Sequence, residues 1–154
     1  MADIKQTGYQ VAAIAVAWAG GQSLDSATDN EWTDLSDEID NSANLYTEAD
    51  MDIALGSAAF TGVDSLIEVY IIASVDGTNY PNWTGNVTTG EQENDQYWIG
   101  SVVTSGATSA QRMTLRNLPI PPGKYKYGFR NTSGVTLAGS GNTAQWRPHS
   151  IKSV

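Results

Sequence analysis

The sequence contains no cysteine and only one histidine, His149. Without cysteine, a disulfide framework, thiolate chemistry and a Cys-based metal site are excluded. A Ser-His-Asp triad would depend on that one histidine, which we expect to lie exposed at a strand end near the C-terminus. No motif selects a carboxylate pair for glycoside hydrolysis from the many acidic residues. We therefore predict that the chain is not an enzyme.

Basic residues are few and unevenly placed. Eight lysines and arginines stand against 17 acidic residues, a net charge of −9. All the acidic residues precede residue 96, whereas residues 111–154 contain seven of the basic ones. Because phosphate binding needs a basic surface, we expect no nucleic-acid partner. Two explanations of the segregation remain open: cross-strand pairing within one domain, or an acidic face of one copy meeting a basic face of another.

No apolar run reaches the ~20 residues that a membrane-spanning helix requires. The run Val11–Gly21, VAAIAVAWAGG, is about half that length. It also differs from a signal peptide, because the leader MADIK contains Asp3 as well as Lys5 and lacks a positive n-region. We predict a strand or extended arm that packs on its own domain or on a neighbour. We expect no membrane partner and synthesis in the cytoplasm.

Short segments of alternating apolar and polar residues are typical of half-buried strands. Glycine, serine, threonine and asparagine are abundant between them, and the run PIPPG at Pro119–Gly123 predicts a stiff corner. One segment, Ser65–Ser74, is apolar on both faces, which indicates a central strand covered on both sides. The six predicted strands are Leu45–Leu55, Ser65–Ser74, Gln96–Val103, Ala110–Leu118, Gly123–Asn131 and Asn142–Ser150.

These segments predict an all-β fold: a jelly-roll-like antiparallel β-sandwich with an extended N-terminal strand or arm. We divide the chain into residues 1–30, the N-terminal strand or arm and acidic loop, and residues 31–154, the sandwich. The segment Trp32–Asp40 forms either one helical turn or an irregular strand. The acidic stretch Asp25–Asp40 is rich in oxygen ligands but lacks the calcium-loop pattern. We predict a solvated or partner-facing loop, with no cofactor.

The segment SVDGTNYPNWTG, Ser74–Gly85, poses the main question about ligand binding. Asp76 and Gly77 favour a tight turn, and Tyr80 before Pro81 keeps the chain extended. The aromatic rings that follow fit two roles. They form a sugar-stacking platform, or they cap the sandwich core or insert into a neighbouring subunit. The glycan platform would consist of Tyr80, Trp83 and Trp98.

Two long segments carry a resemblance to a known family. They are IEVYIIASVDGTNYPNW and AQRMTLRNLPIPPGKYKYGFRNTSGVTLAGSGNTAQWRP. Their ordered run of VDGTNYP, LRN-LP-PPGK and N-SG-L--SGNT resembles accessory virion proteins of tailed bacteriophages, of the head decoration or cement type. The resemblance covers roughly Glu31 to Pro148.

The resemblance implies a structural protein that decorates and stabilises a capsid by binding the lattice of the major capsid protein. It implies partners that are capsid subunits and copies of the chain itself, most often in a trimer, on the capsid exterior. No catalytic residue is carried over. The alternative is a virion-borne carbohydrate-binding or host-adsorption module. The candidate assembly contacts are Val11, Ile14, Val16, Trp18, Asp34, Asp37, Glu38, Arg116, Lys124, Lys126 and Arg130.

Overall fold

The computed structural model describes residues 4–6, 11–60, 65–86 and 96–153, and for residues 4–6 and 151–153 it describes the backbone alone. This part of the chain contains ten β-strands and no α-helix, and hence no helix that could cross a membrane. The strands are β1 (Ile4–Gln6), β2 (Ile14–Ala15), β3 (Ile39–Asp40), β4 (Glu48–Leu55), β5 (Leu66–Ala73), β6 (Trp98–Val103), β7 (Gln111–Pro119), β8 (Lys124–Thr132), β9 (Thr143–His149) and β10 (Ile151–Ser153).

Eight of these strands form two four-stranded antiparallel sheets around one apolar core. The first sheet has the order β2-β9-β4-β7 and the second has the order β3-β8-β5-β6. The pairing is nested along the chain, because β5 pairs with β6, β4 with β7, β3 with β8 and β2 with β9. A separate two-stranded ribbon joins β1 to β10. The predicted all-β sandwich is confirmed.

The six strands predicted from alternation correspond to β4 through β9, with ends that differ by at most three residues. The largest error is at the start of β4, because the predicted strand begins at Leu45 and β4 begins at Glu48. Leu45 is 56% exposed and has a positive φ of 51°. The cause is the buried side chain of Asn41, which accepts the N–H of Tyr46 at 2.9 Å and donates to its carbonyl at 2.9 Å. These bonds turn the chain just before β4 begins.

The inner face of β8 follows the predicted alternation. Tyr125, Tyr127 and Phe129 are fully buried, and they pack in one cluster with the inward residues of β4 and β5. The two tyrosine rings meet edge to face, with centroids 5.5 Å apart. Their hydroxyls are buried without a hydrogen-bond partner among the described residues. Burial raises the pKa of both hydroxyls above the usual range, because it disfavours the phenolate.

The second sheet is also covered on its outer face, as the two-sided apolar pattern of Ser65–Ser74 predicted. Ile67 and Val69 of β5 point into the sandwich core. Tyr70 and Ile72 belong to a second buried cluster with Trp32. The sandwich therefore carries an additional layer, formed by loops, on one of its two outer faces.

The N-terminal segment packs on its own domain. β2 pairs with β9, and Val16, Leu24 and Ala27 belong to the same core cluster as the strands of the sandwich. The predicted arm therefore contributes to the sandwich core from residue 16 onward. The proposed division of the chain at residue 30 stays a prediction.

We expect the hydroxyl of Tyr127 to contribute nothing to stability. Because it has no partner in the described structure, Tyr127→Phe should leave the free energy of unfolding within about 0.5 kcal/mol of the wild type, or raise it slightly. The matched control is Tyr70→Phe, since the Tyr70 hydroxyl donates to Glu68 at 3.0 Å. In that variant the free energy of unfolding should fall by about 1 kcal/mol. Urea denaturation measures both, and equal losses in the two variants would contradict the expectation.

Candidate functional site

The segment Trp32–Asp40 runs along β8 as an irregular strand. Its two ends pair with β8 as a strand does. Between them, the hydroxyl of Thr33 accepts the N–H of Phe129 at 3.0 Å. The hydroxyl of Ser36 accepts the N–H of Tyr127 at 2.9 Å. Because side chains here replace carbonyl acceptors, the ladder is irregular. Of the two alternatives for this segment, the structure shows the irregular strand.

Three rings form an outer aromatic cluster on the second sheet: Trp32, Tyr70 and Trp83. Their centroids lie 4.8 to 5.7 Å apart, in tilted and edge-to-face arrangements. The indole N–H of Trp83 donates to the carbonyl of Thr33 at 2.8 Å. Each such aromatic pair contributes roughly 0.5–1.5 kcal/mol beyond its area burial. The cluster fastens the loop that contains Trp83 onto the irregular strand.

Gly128 is what allows Trp83 to approach the sheet. A side-chain carbon at this position of β8 would overlap the Trp83 ring. On the same outer face, Lys126 lies 4.9 Å from the ring centroid of Tyr80, and the guanidinium of Arg130 lies 5.0 Å from the Trp32 ring. Both cations therefore lie over aromatic rings of the covering loops.

The segment Ser74–Gly85 is a packing corner in the described structure. The carboxylate of Asp76 accepts the backbone N–H groups of Thr78 and Asn79 at 2.9 and 2.7 Å. These bonds, chiefly those from Asn79, hold the pKa of Asp76 well below its usual range. Gly77 has the positive φ of 76° that the turn requires. The fixed turn directs the following residues back over the second sheet.

Several of the predicted contact cations have partners inside the chain. Lys124 lies 2.9 Å from the carboxylate of Glu38, and Arg130 lies 3.6 Å from that of Glu68. Lys124 lowers the pKa of Glu38, and the hydrogen bond from Tyr80 lowers it further. Pairing within one domain therefore accounts for part of the charge segregation. Contact between copies stays a prediction.

Two further predicted contacts lie apart from these pairs. Arg116 is exposed on β7 beside Asn117, whose φ is 54° at an irregularity in the strand. It has no partner among the described residues. Asp34 instead holds the chain together, because its carboxylate accepts the N–H of Gln22 at 2.6 Å and its carbonyl accepts the indole N–H of Trp18 at 3.0 Å.

The four predicted contacts of the N-terminal segment differ in exposure. Val16 is buried in the core, and the Trp18 ring packs against Phe129 at 5.7 Å. Val11 is half-buried, and its carbonyl accepts the Nε–H of Arg147 at 3.0 Å. Ile14 is 42% exposed on β2. Of the four, Ile14 is therefore the residue best placed for contact with another molecule.

The structure brings five of the predicted contacts together at one groove. It lies between the edge strands β2 and β3 and has a volume of about 280 Å³. We call it the edge groove. Apolar side chains cover most of its wall, and carboxylates stand among them. The predicted contacts that line it are Val11, Ile14, Val16, Asp37 and Glu38.

The three rings of the predicted glycan platform lie on the outer face of the second sheet, but in different environments. Trp83 is held in the outer aromatic cluster, so its ring is partly covered. The Tyr80 hydroxyl donates to Glu38 at 2.8 Å. Trp98 is 53% exposed and lines a shallow depression of about 300 Å³ with Glu68, Tyr70 and Arg130. The structure therefore supports Trp98, rather than Trp83, as an accessible ring.

His149 was expected to be exposed, and this expectation is wrong. It is 5% exposed, and its Nε2 lies 3.2 Å from Glu48. The register of β9 against β4 places these two residues directly opposite each other. Among the described residues, no group of three or more histidine or carboxylate side chains is placed to hold a metal ion. The carboxylates of Asp25–Asp40 instead accept hydrogen bonds within the chain.

The sequence analysis did not identify two buried asparagines, Asn131 and Asn41, whose side chains hold the connecting loops in place. Asn131 is fully buried, and its side-chain amide donates to the carbonyls of Ala27, Thr28 and Val135 at 2.8 to 3.0 Å. Asn41 plays the same part before β4. The only signal in the sequence was the turn-forming run NTSG that starts at Asn131. That signal predicts a turn and does not reveal the distant acceptors.

No family model matches the chain, and a search of curated proteins finds no significant match. The fold defines the chain as an all-β sandwich protein.

We expect Gly128→Ala to lower the free energy of unfolding by about 1–3 kcal/mol, because the added methyl group must displace the Trp83 ring. Urea denaturation followed by tryptophan fluorescence measures the change. In a Trp83→Ala background the same substitution should cost far less, since the obstructing ring is gone.

The control for that cycle is Gly20→Ala. A carbon at Gly20 has no neighbour within 4 Å, so this variant should stay within about 0.5 kcal/mol of the wild type. Gly128→Ala could instead lower the free energy of unfolding equally with and without Trp83. In that case, contact with the Trp83 ring is not the reason that position 128 requires glycine.

Proposed function

We propose that this chain is a structural virion protein that decorates and stabilises the capsid of a tailed bacteriophage. It binds the lattice of the major capsid protein from the outside, as a homo-oligomer and most often a trimer. The role involves no catalysis, no nucleic acid and no membrane. The protein is made in the host cytoplasm and resides in the virion.

The observation that carries the proposal is the edge groove. It joins an exposed apolar residue, Ile14, to carboxylates at the open side of the sandwich. Exposed apolar surface with a polar rim is typical of protein interaction sites. Five residues selected as assembly contacts line this one groove, although they come from two separate stretches of the chain.

The fold supports the same role. The nested strand pairing is the order that we assign to a double-sheet jelly roll, an architecture that viral capsid domains use. The loops of the outer layer are tied to the sheet by aromatic packing and by side-chain hydrogen bonds. A rigid unit of this kind loses little conformational entropy on docking.

Decoration would stabilise the shell by mass action. A protein that binds the assembled lattice, and not its separated subunits, shifts the equilibrium toward assembly. Many copies on one shell add their separate contributions. The resemblance over Glu31–Pro148 supports this assignment, and the acidic surface favours a shell partner that presents basic residues.

The test of this proposal is reconstitution on capsids that lack the protein. We expect cryo-electron microscopy to show it bound at many symmetry-related positions on the head exterior, and the capsids to resist heating better when they carry it. Because the described surface is acidic, release should increase between low salt and about 1 M salt, where the screening length falls to ~3 Å.

If microscopy shows only a few copies, all at the tail, the capsid-decoration proposal is contradicted and the host-adsorption module is favoured. Release that does not respond to salt would leave decoration intact and exclude complementary charge as the main contact. When release is measured from capsids attached to beads, uncoated beads at the same salt concentrations control for adsorption of the protein to the bead surface.

The second candidate function is the carbohydrate-binding or adsorption module, and the exposure of Trp98 beside Glu68 and Arg130 favours it. On this hypothesis Trp98→Ala should abolish binding to host-surface glycans without a change in the thermal unfolding temperature. A glycan array with the wild type and Val103→Ala, a variant of an exposed apolar residue on the same strand, checks this. If the wild type binds no glycan on the array, the module is contradicted.

A further inference from the structure

The edge groove has an apolar floor between two sheet edges. Its apolar lining comes from four parts of the chain: the N-terminal segment, the start of β3, the segment before β4 and the inward face of β9. On the side of β2, the neighbouring residues Ala12, Ala13 and Ala15 are exposed like Ile14. The apolar lining residues are Val11, Ile14, Ala15, Val16, Ala17, Ile39, Tyr46 and Trp146.

Three carboxylates stand along the rim: Asp37, Glu38 and Asp40. Glu38 has a cationic partner, Lys124. Asp37 accepts the N–H of Ala19 at 2.9 Å, and Asp40 accepts the N–H of Ser42 at 2.8 Å. Neither has a cation within ion-pair distance among the described residues. Hydrogen bonds from Ser42, and the charge of Lys124 opposite it on β8, lower the pKa of Asp40. The rim is therefore net negative at neutral pH.

Among the described residues, the strand next to the groove is an edge strand, and past its end the carbonyl of Ala17 accepts the N–H of Asp37 at 2.7 Å. β2 pairs with β9 and stands at the end of its sheet. An edge strand presents backbone donors and acceptors that an extended peptide can pair with. With small exposed side chains on Ala12, Ala13 and Ala15, little bulk lies beside this edge.

A strained residue lies at the other side of the groove. Leu45, between the lining residues Asn44 and Tyr46, is exposed and has the positive φ that a bulky side chain rarely adopts. The buried amide of Asn41 holds it there. Strain of this kind is costly and is concentrated at sites where ligands bind. The exposed Leu45 side chain adds apolar surface next to the groove.

We propose that the edge groove binds an extended segment of another protein in which apolar side chains alternate with lysine or arginine. The apolar side chains enter the groove, the basic ones meet Asp37 and Asp40, and the backbone pairs with the edge of β2. This inference rests on the proposed function in one respect: under that function, the extended segment belongs to the shell protein.

A second copy of this chain fits the groove less well. Among the cations whose side chains the structure describes, Arg116 alone has no partner within its own chain. Among the described cations, one exposed arginine does not match a rim of three carboxylates, and the net charge of −9 disfavours contact between two copies. Charge complementarity therefore favours a different, basic partner.

The test uses a synthetic peptide of about nine residues that alternates valine with lysine, long enough to span a strand. Calorimetry with the whole protein at low salt should show binding. Nuclear magnetic resonance shifts should fall on residues of the edge groove. The variant Asp37→Asn/Asp40→Asn keeps the hydrogen-bond acceptors and removes two charges. It should bind about five- to tenfold more weakly, given the modest strength of exposed ion pairs.

The matched control is Asp29→Asn/Glu68→Gln, which removes two charges from side chains that lie outside the edge groove. It should bind the peptide within about twofold of the wild type. Equal weakening in both double variants would show nonspecific attraction and overturn the proposal. So would the absence of binding at millimolar peptide, shifts centred elsewhere, or equal binding of a peptide with glutamate in place of lysine.

The capsid experiment separates this inference from the proposed function. If the peptide binds as expected but the protein does not decorate capsids, the groove stands and the virion role fails. If capsids are decorated equally well by the wild type and by Asp37→Asn/Asp40→Asn, the virion role stands and the groove is not its contact.

Discussion

The structure depends on the covering of β8 from both sides. Its inner face, with Tyr125, Tyr127 and Phe129, lies in the sandwich core. Its outer face places Gly128 under the ring of Trp83, between two cations that lie over aromatic rings. Only a strand with a glycine at this point admits an indole so close to the backbone. This contact fastens the Trp83 loop onto β8 and the irregular strand.

The covering layer also determines which charges reach the surface. Lys124, Lys126 and Arg130 lie on the outer face of β8. The irregular strand, the Trp83 loop and the neighbouring strand β5 supply carboxylates and aromatic rings as their partners. These described cations thereby have partners within the chain, while Asp37 and Asp40 stay at the rim of the edge groove with no described cation within ion-pair distance. The surface that results favours a basic partner over another copy of the same acidic chain.

Much of the fold could be predicted from alternation alone. The six strands β4 to β9 were located to within three residues, and the two-sided apolar pattern of β5 correctly indicated cover on both faces. The error at Leu45 has a long-range cause, because Asn41 also donates to the carbonyl of Pro121, 80 residues away in sequence. The error at His149 has a similar cause, since its burial depends on the register against β4.

The sequence by itself determined the strands, their inward residues and the acidic character of the chain, because these depend on side-chain period and on composition. The tertiary structure alone decided which charges are paired, which tryptophan is accessible and where the two sheet edges meet. Residues such as Ile14 and Asp37 are distant in sequence and share a groove only because β2 and β3 lie at corresponding edges of opposed sheets. Local sequence patterns cannot specify contacts of this kind, because the contacts depend on strand order and register across the whole chain.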